Sequence, residues 1–147
     1  MLRWKDGRLR CRGTFPRKVA ALEMEPEPLS QEGFAAFSQR LDDGEPVVML
    51  NLLAFEPDGG RERYLEYGAA VAPLLAGAGG RIVFAGTPAT ALLGDGSWDL
   101  VALVEYPTRQ AFLEMIGSDE YQAIAHLRSE ALVKGELYPM DPAEEMP

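Results

Sequence analysis

The stretch that decides the fold is VEYPTRQAFLEMIGSDEYQAIAHLR, residues 104–128. It begins with the end of a strand, and Pro107 then predicts the start of a helix, because its fixed φ suits a first helical turn. Ser118 is predicted to cap a second helix. At about 100° per residue, Arg128 falls within roughly 60° of Tyr121 on the apolar face of that second helix. The stretch therefore predicts a strand followed by two consecutive helices, the second of which carries an arginine among apolar residues.

The rest of the chain supplies the remaining elements of a single domain. Its 147 residues and 47% hydrophobic content are typical of one globular domain. Pro73 is expected to kink or split a long helix, because proline removes a backbone donor and clashes one turn back. A tight turn at Gly94-Asp95-Gly96 is expected to join two strands. The predicted elements are a helix over 30–41 capped by Ser30, strands over 46–55, 81–86, 89–93 and 98–106, an edge strand over 134–139, and helices over 61–78, 107–117 and 118–132.

The order of these elements predicts an α+β fold. It matches the ferredoxin-like split βαβ arrangement, an antiparallel sheet with helices on one face, preceded here by an extra N-terminal helix. Apolar residues nevertheless point to both faces of the first strand. They are Val47, Met49 and Leu53 on one side and Val48, Leu50 and Leu52 on the other. Because helices cover only one face, the second face is expected to stack on another copy of the chain, which predicts a homodimer.

Charge is distributed unevenly along the chain. The net charge is −9 at pH 7, yet residues 1–18 carry seven basic side chains against Asp6 alone. The body of the domain is therefore strongly acidic and repels phosphate, which argues against nucleic acid as a partner. Blocks of like charge are typical of disordered or interaction tails. We expect a basic, disordered arm over 1–27, a domain over 28–140 and a tail over 141–147, with a translation start at Met24 as an alternative.

Several classes of protein and of site are disfavoured. No apolar run reaches the ~18 residues of a membrane span, and the basic N-terminus lacks the apolar core of a signal peptide. The single cysteine, Cys11, cannot form an internal disulfide and suits a reducing compartment. We therefore expect a cytoplasmic protein without a membrane partner. One histidine and one cysteine provide no zinc ligand set, and no phosphate-binding or nucleophile motif is present, so no metal or cofactor is expected.

Several motifs of the C-terminal half occur together in one family. They are Glu105-Tyr106-Pro107, Ser118-Asp119-Glu120-Tyr121-Gln122, Arg128, and a tyrosine-bearing helix at 64–75 followed by Gly79-Gly80. Over roughly residues 45–139 the chain resembles the DUF1330 family. The resemblance implies a dimeric α/β barrel, in agreement with the fold predicted above. It implies little about activity, since that superfamily includes cofactor-free monooxygenases, haem-degrading and peroxidase enzymes, and isomerases. The helix at 30–41 and the basic arm depart from the short DUF1330 pattern.

Arg128 is the strongest candidate for a functional side chain. An arginine on an apolar face needs a partner, because an unpaired buried charge is very costly. One interpretation is a clamp for a carboxylate-bearing ligand, through the bidentate fork of the guanidinium. The alternatives are a structural ion pair with Glu105, or a side chain whose apolar stem is buried while its head reaches water.

Five further side chains are candidates. Asn51 lies among aliphatic residues in a strand, where its amide either orients a substrate or bonds to a neighbouring loop. His126 is expected to point to solvent, and a general base or axial haem ligand is the alternative. Tyr64 and Tyr67 are either core aromatics or acids and bases. Trp98 either lines a ligand mouth or packs in the ordinary way.

Three functions are compatible with these residues. The first is binding or transformation of a small apolar or carboxylated molecule in a cleft between sheet and helices, as in a cofactor-free monooxygenase or isomerase. The second is haem binding or degradation, because residues 109–128 are similar to helices of haem-degrading monooxygenases, with Met115 where those proteins place tryptophan. The third is a non-catalytic dimer with a structural Arg128. The candidate ligand-binding residues are Asn51, Tyr64, Tyr67, Trp98, Glu105 and Arg128, and the candidate catalytic residues are Asn51, Arg128 and His126.

Overall fold

The computed structural model describes residues 2–5, 8–11 and 29–142. Within the predicted arm, two short strands pair in antiparallel fashion: β1 (Leu2–Lys5) and β2 (Arg8–Cys11). The predicted start at Met24 and most of the predicted tail lie outside the described residues. The domain boundaries and the disorder of the arm therefore stay predictions.

The main domain is a four-stranded antiparallel sheet with helices against one face. Its elements are α1 (Gln31–Ser38), β3 (Val47–Phe55), α2 (Gly60–Gly77), β4 (Arg81–Gly86), β5 (Leu100–Tyr106), α3 (Arg109–Gly117), α4 (Asp119–Ala131) and β6 (Leu132–Met140). The strand order is β4-β5-β3-β6, and every neighbouring pair is antiparallel. This confirms the predicted α+β, ferredoxin-like fold with its extra N-terminal helix and its last strand at an edge.

Alternating burial along β3 distinguishes the two faces of the sheet. Met49, Asn51 and Leu53 are buried towards the helices, whereas Leu50 and Leu52 are half-buried on the other side. Residues paired across antiparallel strands share a face. The helix-covered face therefore includes the β5 and β6 residues opposite Met49 and Asn51, and these are Val104, Ala102, Pro139 and Leu137. We call the opposite side the open face.

Side-chain caps set the starts of three helices. The hydroxyl of Ser30 accepts from the N–H of Gly33 at 2.9 Å, and that of Thr108 accepts from the N–H of Ala111 at 3.0 Å. The hydroxyl of Ser118 likewise accepts from the N–H of Tyr121. Each bond satisfies a backbone donor that has no partner within its helix. The predicted caps at Ser30 and Ser118 are confirmed. Helix α3 was predicted to start at Pro107, but its capping residue is Thr108 and its first helical residue is Arg109.

The predicted strand over 89–93, the turn joining it to the next strand and the predicted split of the long helix at Pro73 were wrong. No strand forms over 89–93, because β4 pairs directly with β5, and the residues between them, 87–99, form a loop. The tight turn around Gly94 consequently joins no strands, although Gly94 does adopt a positive φ of 96°. Pro73 does not split α2, which continues from Gly60 to Gly77. Packing of neighbouring helical residues such as Leu75 against the core offsets the single hydrogen bond that proline removes.

Gly60 allows α2 to begin close to the end of α4. A Cβ atom built on Gly60 would lie 2.6 Å from the carbonyl oxygen of Ala131. Real side chains do not come so close to backbone atoms, so a glycine is required where the two helices meet. Among the described residues, no helix is long and apolar enough to cross a membrane.

Candidate functional site

A cavity of about 370 Å³ lies between the helix-covered face of the sheet and helices α2, α3 and α4. Its lining is mainly apolar, and its volume is within the roughly 300–1,000 Å³ of small-molecule sites. The exposed lining residues lie on only two elements, Ala72 and Ala76 on α2 and Ile82 and Ala85 on β4. The cavity therefore opens between α2 and β4, where no helix covers the edge strand.

Arg128 and Asn51 form the polar end of this cavity. The guanidinium belongs to α4 and is 2% exposed. Its Nη2 donates to Oδ1 of Asn51 at 3.2 Å, and Nδ2 of Asn51 donates to the carbonyl oxygen of Met49 at 3.3 Å. The strand and the helix thus present an amide and a guanidinium side by side. Five N–H donors in a planar fork suit the two oxygens of a carboxylate.

Burial alters the ionisation of Arg128 without neutralising it. Loss of solvation lowers the pKa of this guanidinium from 12.5 to about 10, because the charged form is favoured by water. The side chain still carries its proton at neutral pH. Of the described residues that line the cavity, Arg128 is the one with a charged side chain.

Four tyrosines surround the same cavity: Tyr64, Tyr67, Tyr106 and Tyr121. The hydroxyl groups of Tyr67 and Tyr121 lie 3.2 Å apart and share a hydrogen bond. Burial, as the largest cause, raises the pKa of each of the four phenols above 10. The tyrosines are therefore neutral at physiological pH and act as hydrogen-bonding groups rather than as bases.

Four of the residues singled out in the sequence meet in this cavity. They are Asn51, Tyr64, Tyr67 and Arg128. Sequence reasoning did not include Tyr106 and Tyr121 among the site residues. Tyr121 shares a helical stripe with Arg128, so the same helical wheel contained the signal that was missed.

Three other candidates lie elsewhere. Glu105 pairs with Val48 on the open face, and its carboxylate accepts from Nε of Arg81 at 2.9 Å. The predicted ion pair of Glu105 with Arg128 is wrong, because the sheet separates the two side chains. Trp98 does not line the cavity; the ammonium of Lys134 lies over its ring, 4.3 Å from the centroid.

His126 lies on the exposed side of α4, as predicted, and does not line the cavity. It is the single histidine of the chain, so the cavity contains no imidazole to act as a base or as an axial ligand. Among residues 29–142, no group of three or more histidine, cysteine, aspartate or glutamate side chains is arranged to hold a metal ion.

A second buried arginine, Arg109, was not identified from the sequence. It is 4% exposed and donates to Asp43 at 3.4 Å and to Asp141 at 3.1 Å. Its guanidinium also lies over the ring of Phe37, 5.4 Å from the centroid. Arg40 shares both carboxylates. This cluster joins α3 to α1 and to the segment after β6, so its role is structural.

Comparison with known proteins identifies the family. The DUF1330 model, which describes a domain of unknown function, matches residues 59–138. The chain belongs to the DUF1330 family. A similar solved structure is RPA0582 from Rhodopseudomonas palustris, a protein of unknown function. It is 32% identical, with a TM-score of 0.72, over 82% of this chain and 98% of RPA0582.

More distant structures share the fold alone. The hydroxynitrile lyase from Passiflora edulis is 15% identical with a TM-score of 0.56, and the match covers 71% of this chain and 99% of the lyase. At3g17210 from Arabidopsis thaliana has the same identity and TM-score over 68% of this chain and 98% of its own. None of the curated proteins matches the chain significantly.

Proposed function

We propose that this DUF1330 protein binds a small apolar molecule that carries a carboxylate, with the carboxylate at Arg128 and Asn51. The observation that carries the proposal is a protonated, buried arginine at one end of an otherwise apolar cavity with an open mouth. Apolar walls provide affinity for the body of the ligand, and a small number of polar groups fix its orientation. A bidentate contact with the guanidinium supplies the specificity for an anion.

The lining favours binding, or stabilisation of an anion, over acid–base catalysis. A general base works best when its pKa lies near the operating pH. The ionisable groups that line the cavity are Arg128 and tyrosines whose pKa is raised by burial. An enzyme of the cofactor-free monooxygenase or isomerase type would use them as hydrogen-bond donors to a developing negative charge.

Haem binding has less support than carboxylate binding. His126 lies on the outer side of α4, and the cavity residues offer no other nitrogen ligand of that kind. A haem titration that leaves the Soret band unchanged is the expected result. Localisation in the cytoplasm remains part of the proposal and rests on the lone Cys11.

The open face supports a homodimer. Leu50 and Leu103 are paired at its centre and are half-buried, and Phe84 on the neighbouring strand is 57% exposed. Contiguous apolar surface of this kind is typical of interaction sites. A second copy stacked sheet on sheet would cover it, and at ~25 cal/mol per Å² an interface of ~800 Å² per subunit would offset the cost of association. A dimer that binds no ligand, with Arg128 as a purely structural residue, is the competing interpretation.

Calorimetric titration with octanoate and octanamide tests the binding proposal. The two molecules have the same chain, and only octanoate carries a charge. The wild-type protein is expected to bind octanoate more tightly by tenfold or more, because charge-assisted hydrogen bonds contribute about 1.5–3 kcal/mol. Arg128→Met is expected to abolish this preference, whereas Arg63→Met, which removes an exposed arginine paired with Glu130, is expected to retain it. Equal binding of octanoate by both variants would refute the proposal.

A further inference from the structure

A second cavity, of about 380 Å³, lies on the same face of the sheet beneath α1. It is a groove bordered by α1, α3 and β6 and open to solvent on one side, and its apolar lining includes Phe34, Phe37, Leu113 and Pro139. Helix α1 precedes the segment that matches the DUF1330 model. The extra helix therefore creates a space that the matched part of the chain does not enclose by itself.

The two cavities are adjacent. Three residues line both of them, Met49, Phe112 and Leu137. Met49 and Asn51 are two residues apart on the same face of β3, a distance of about 7 Å. The shared wall is therefore close to the polar end of the first cavity. Methionine is unbranched and changes rotamer readily. A ligand chain that passes from one space to the other would therefore displace the Met49 side chain.

The second cavity is held open by specific contacts. Arg109 binds Asp43, at the end of the segment that follows α1, and packs over the ring of Phe37. It also binds Asp141 beyond β6. These bonds fix α1 above β6 without filling the space between them. A preformed cavity costs less free energy to occupy than one that must be ordered on binding.

We propose that the ligand is a long linear-chain carboxylate, whose carboxylate binds Arg128 and whose chain passes Met49 into the second cavity. This inference rests on the proposed function and specifies the length and shape of the ligand. At roughly 30 Å³ per non-hydrogen atom, the volume that water occupies, each cavity accommodates about twelve such atoms. The first cavity therefore suits a chain of about ten carbons. A longer chain bound at Arg128 needs several carbons to cover the roughly 7 Å to Met49 and has room for about twelve more in the second cavity, so about sixteen in all.

A chain-length series tests the inference. Saturated carboxylates from hexanoate to hexadecanoate would be measured by displacement of a fluorescent fatty acid from the full-length protein. Affinity is expected to rise by about three- to fourfold per methylene, and to keep rising beyond decanoate. Phe34→Trp, which narrows only the second cavity, is expected to bind octanoate as the wild type does and hexadecanoate at least tenfold more weakly. Ala36→Trp is the control, since Ala36 lies on the exposed side of α1.

Photo-crosslinking gives a readout that does not depend on a variant. Hexadecanoate with a diazirine at its last carbon is expected to label residues of the second cavity, such as Phe34 or Leu113, in the wild-type protein. An affinity that stops rising at decanoate, or labelling confined to the mouth between α2 and β4, would overturn the inference while leaving octanoate binding intact. Failure of octanoate itself to bind would instead overturn the proposed function.

Discussion

Replacing Arg128 by methionine is expected to change the stability of the fold very little. Burial lowers the pKa of the guanidinium from 12.5 to about 10, and at about 1.4 kcal/mol per pH unit this difference corresponds to a penalty of about 3 kcal/mol for burying the charge. Methionine removes that penalty and retains most of the volume. It also removes the hydrogen bond to Asn51, and an unsatisfied buried amide oxygen costs about 1–3 kcal/mol. Arg128 makes a further interaction besides the bond to Asn51, and its loss costs about 1 kcal/mol more. The net change in the free energy of unfolding is therefore expected to lie within about 1 kcal/mol of zero.

Arg109→Met is the matched control, since both arginines are buried. Arg109 contacts two carboxylates, Asp43 and Asp141, that are 22% and 43% exposed and become rehydrated once it is removed. The contact with Phe37 is lost as well. Because solvent screens these partly exposed ion pairs, we expect Arg109→Met to lower the free energy of unfolding by only about 2 kcal/mol.

The free energy of unfolding of both variants is measured by urea denaturation followed by circular dichroism. Equal m-values would show that the variants and the wild type expose the same surface on unfolding, so that their free energies can be compared. Arg109→Met is expected to lower the unfolding free energy clearly more than Arg128→Met does. A loss of more than about 3 kcal/mol in Arg128→Met would refute the reasoning, because Arg128 would then be a structural residue rather than one retained for a ligand at the expense of stability.

The remaining predictions concern pH and assembly. Because burial raises the pKa of Tyr64, Tyr67, Tyr106 and Tyr121 in the folded protein, their contribution to stability is present below about pH 10, the unfolded value, and is lost as the pH rises above it. Arg128, whose pKa is lowered by burial, acts in the opposite direction, but it is one group against four. In a Tyr138→Phe variant, which removes the exposed fifth tyrosine, we therefore expect phenolate absorbance to appear together with loss of helical circular dichroism. Phenolate absorbance in an intact fold would contradict this expectation. The pKa of Asp141 is lowered, chiefly by hydrogen bonds from Arg40 and Arg109, so its contribution is present above about pH 4 and is lost below it. Asp141→Asn should flatten the acid limb of the stability profile, and an unchanged limb would exclude this carboxylate as its source. Leu103→Lys places a charge at the centre of the open face, and sedimentation should show a dimer for the wild type and a monomer for the variant. A wild-type monomer at micromolar concentration would contradict the assembly.

The fold was predictable from the sequence wherever the signal is local. The alternation from Val47 to Leu53 identified a strand with two apolar faces, and Ser30 and Ser118 marked helix starts. Each of these signals depends on residues within one strand or one turn. The false strand over 89–93 has the opposite origin, since small and apolar residues in a loop resemble a strand until the pairing of β4 with β5 is known.

The site was predictable residue by residue but not as an arrangement. Asn51 and Arg128 each interrupt an apolar pattern and were identified for that reason. Their hydrogen bond joins positions 77 residues apart, and the contacts of Arg109 with Asp43 and Asp141 span 66 and 32 residues. Such pairs depend on how α3 and α4 pack on the sheet, which no local pattern encodes. Glu105 was expected on the same side of the sheet as Arg128, but it lies on the open face. Neighbouring residues of a strand point to opposite faces, so the face of Glu105 depends on the register of β5.

Carbon-13 NMR of octanoate labelled at its carboxyl carbon tests the contact between ligand and Arg128 most directly. A bound carboxylate beside the buried guanidinium is expected to have a pKa below that of the free acid, so that it stays ionised as the pH falls through the free value. In Arg128→Met the bound carboxyl group is expected to take up its proton at a higher pH than in free solution. A bound signal that titrates identically in the wild type and the variant would place the carboxylate away from Arg128 and contradict the proposed site.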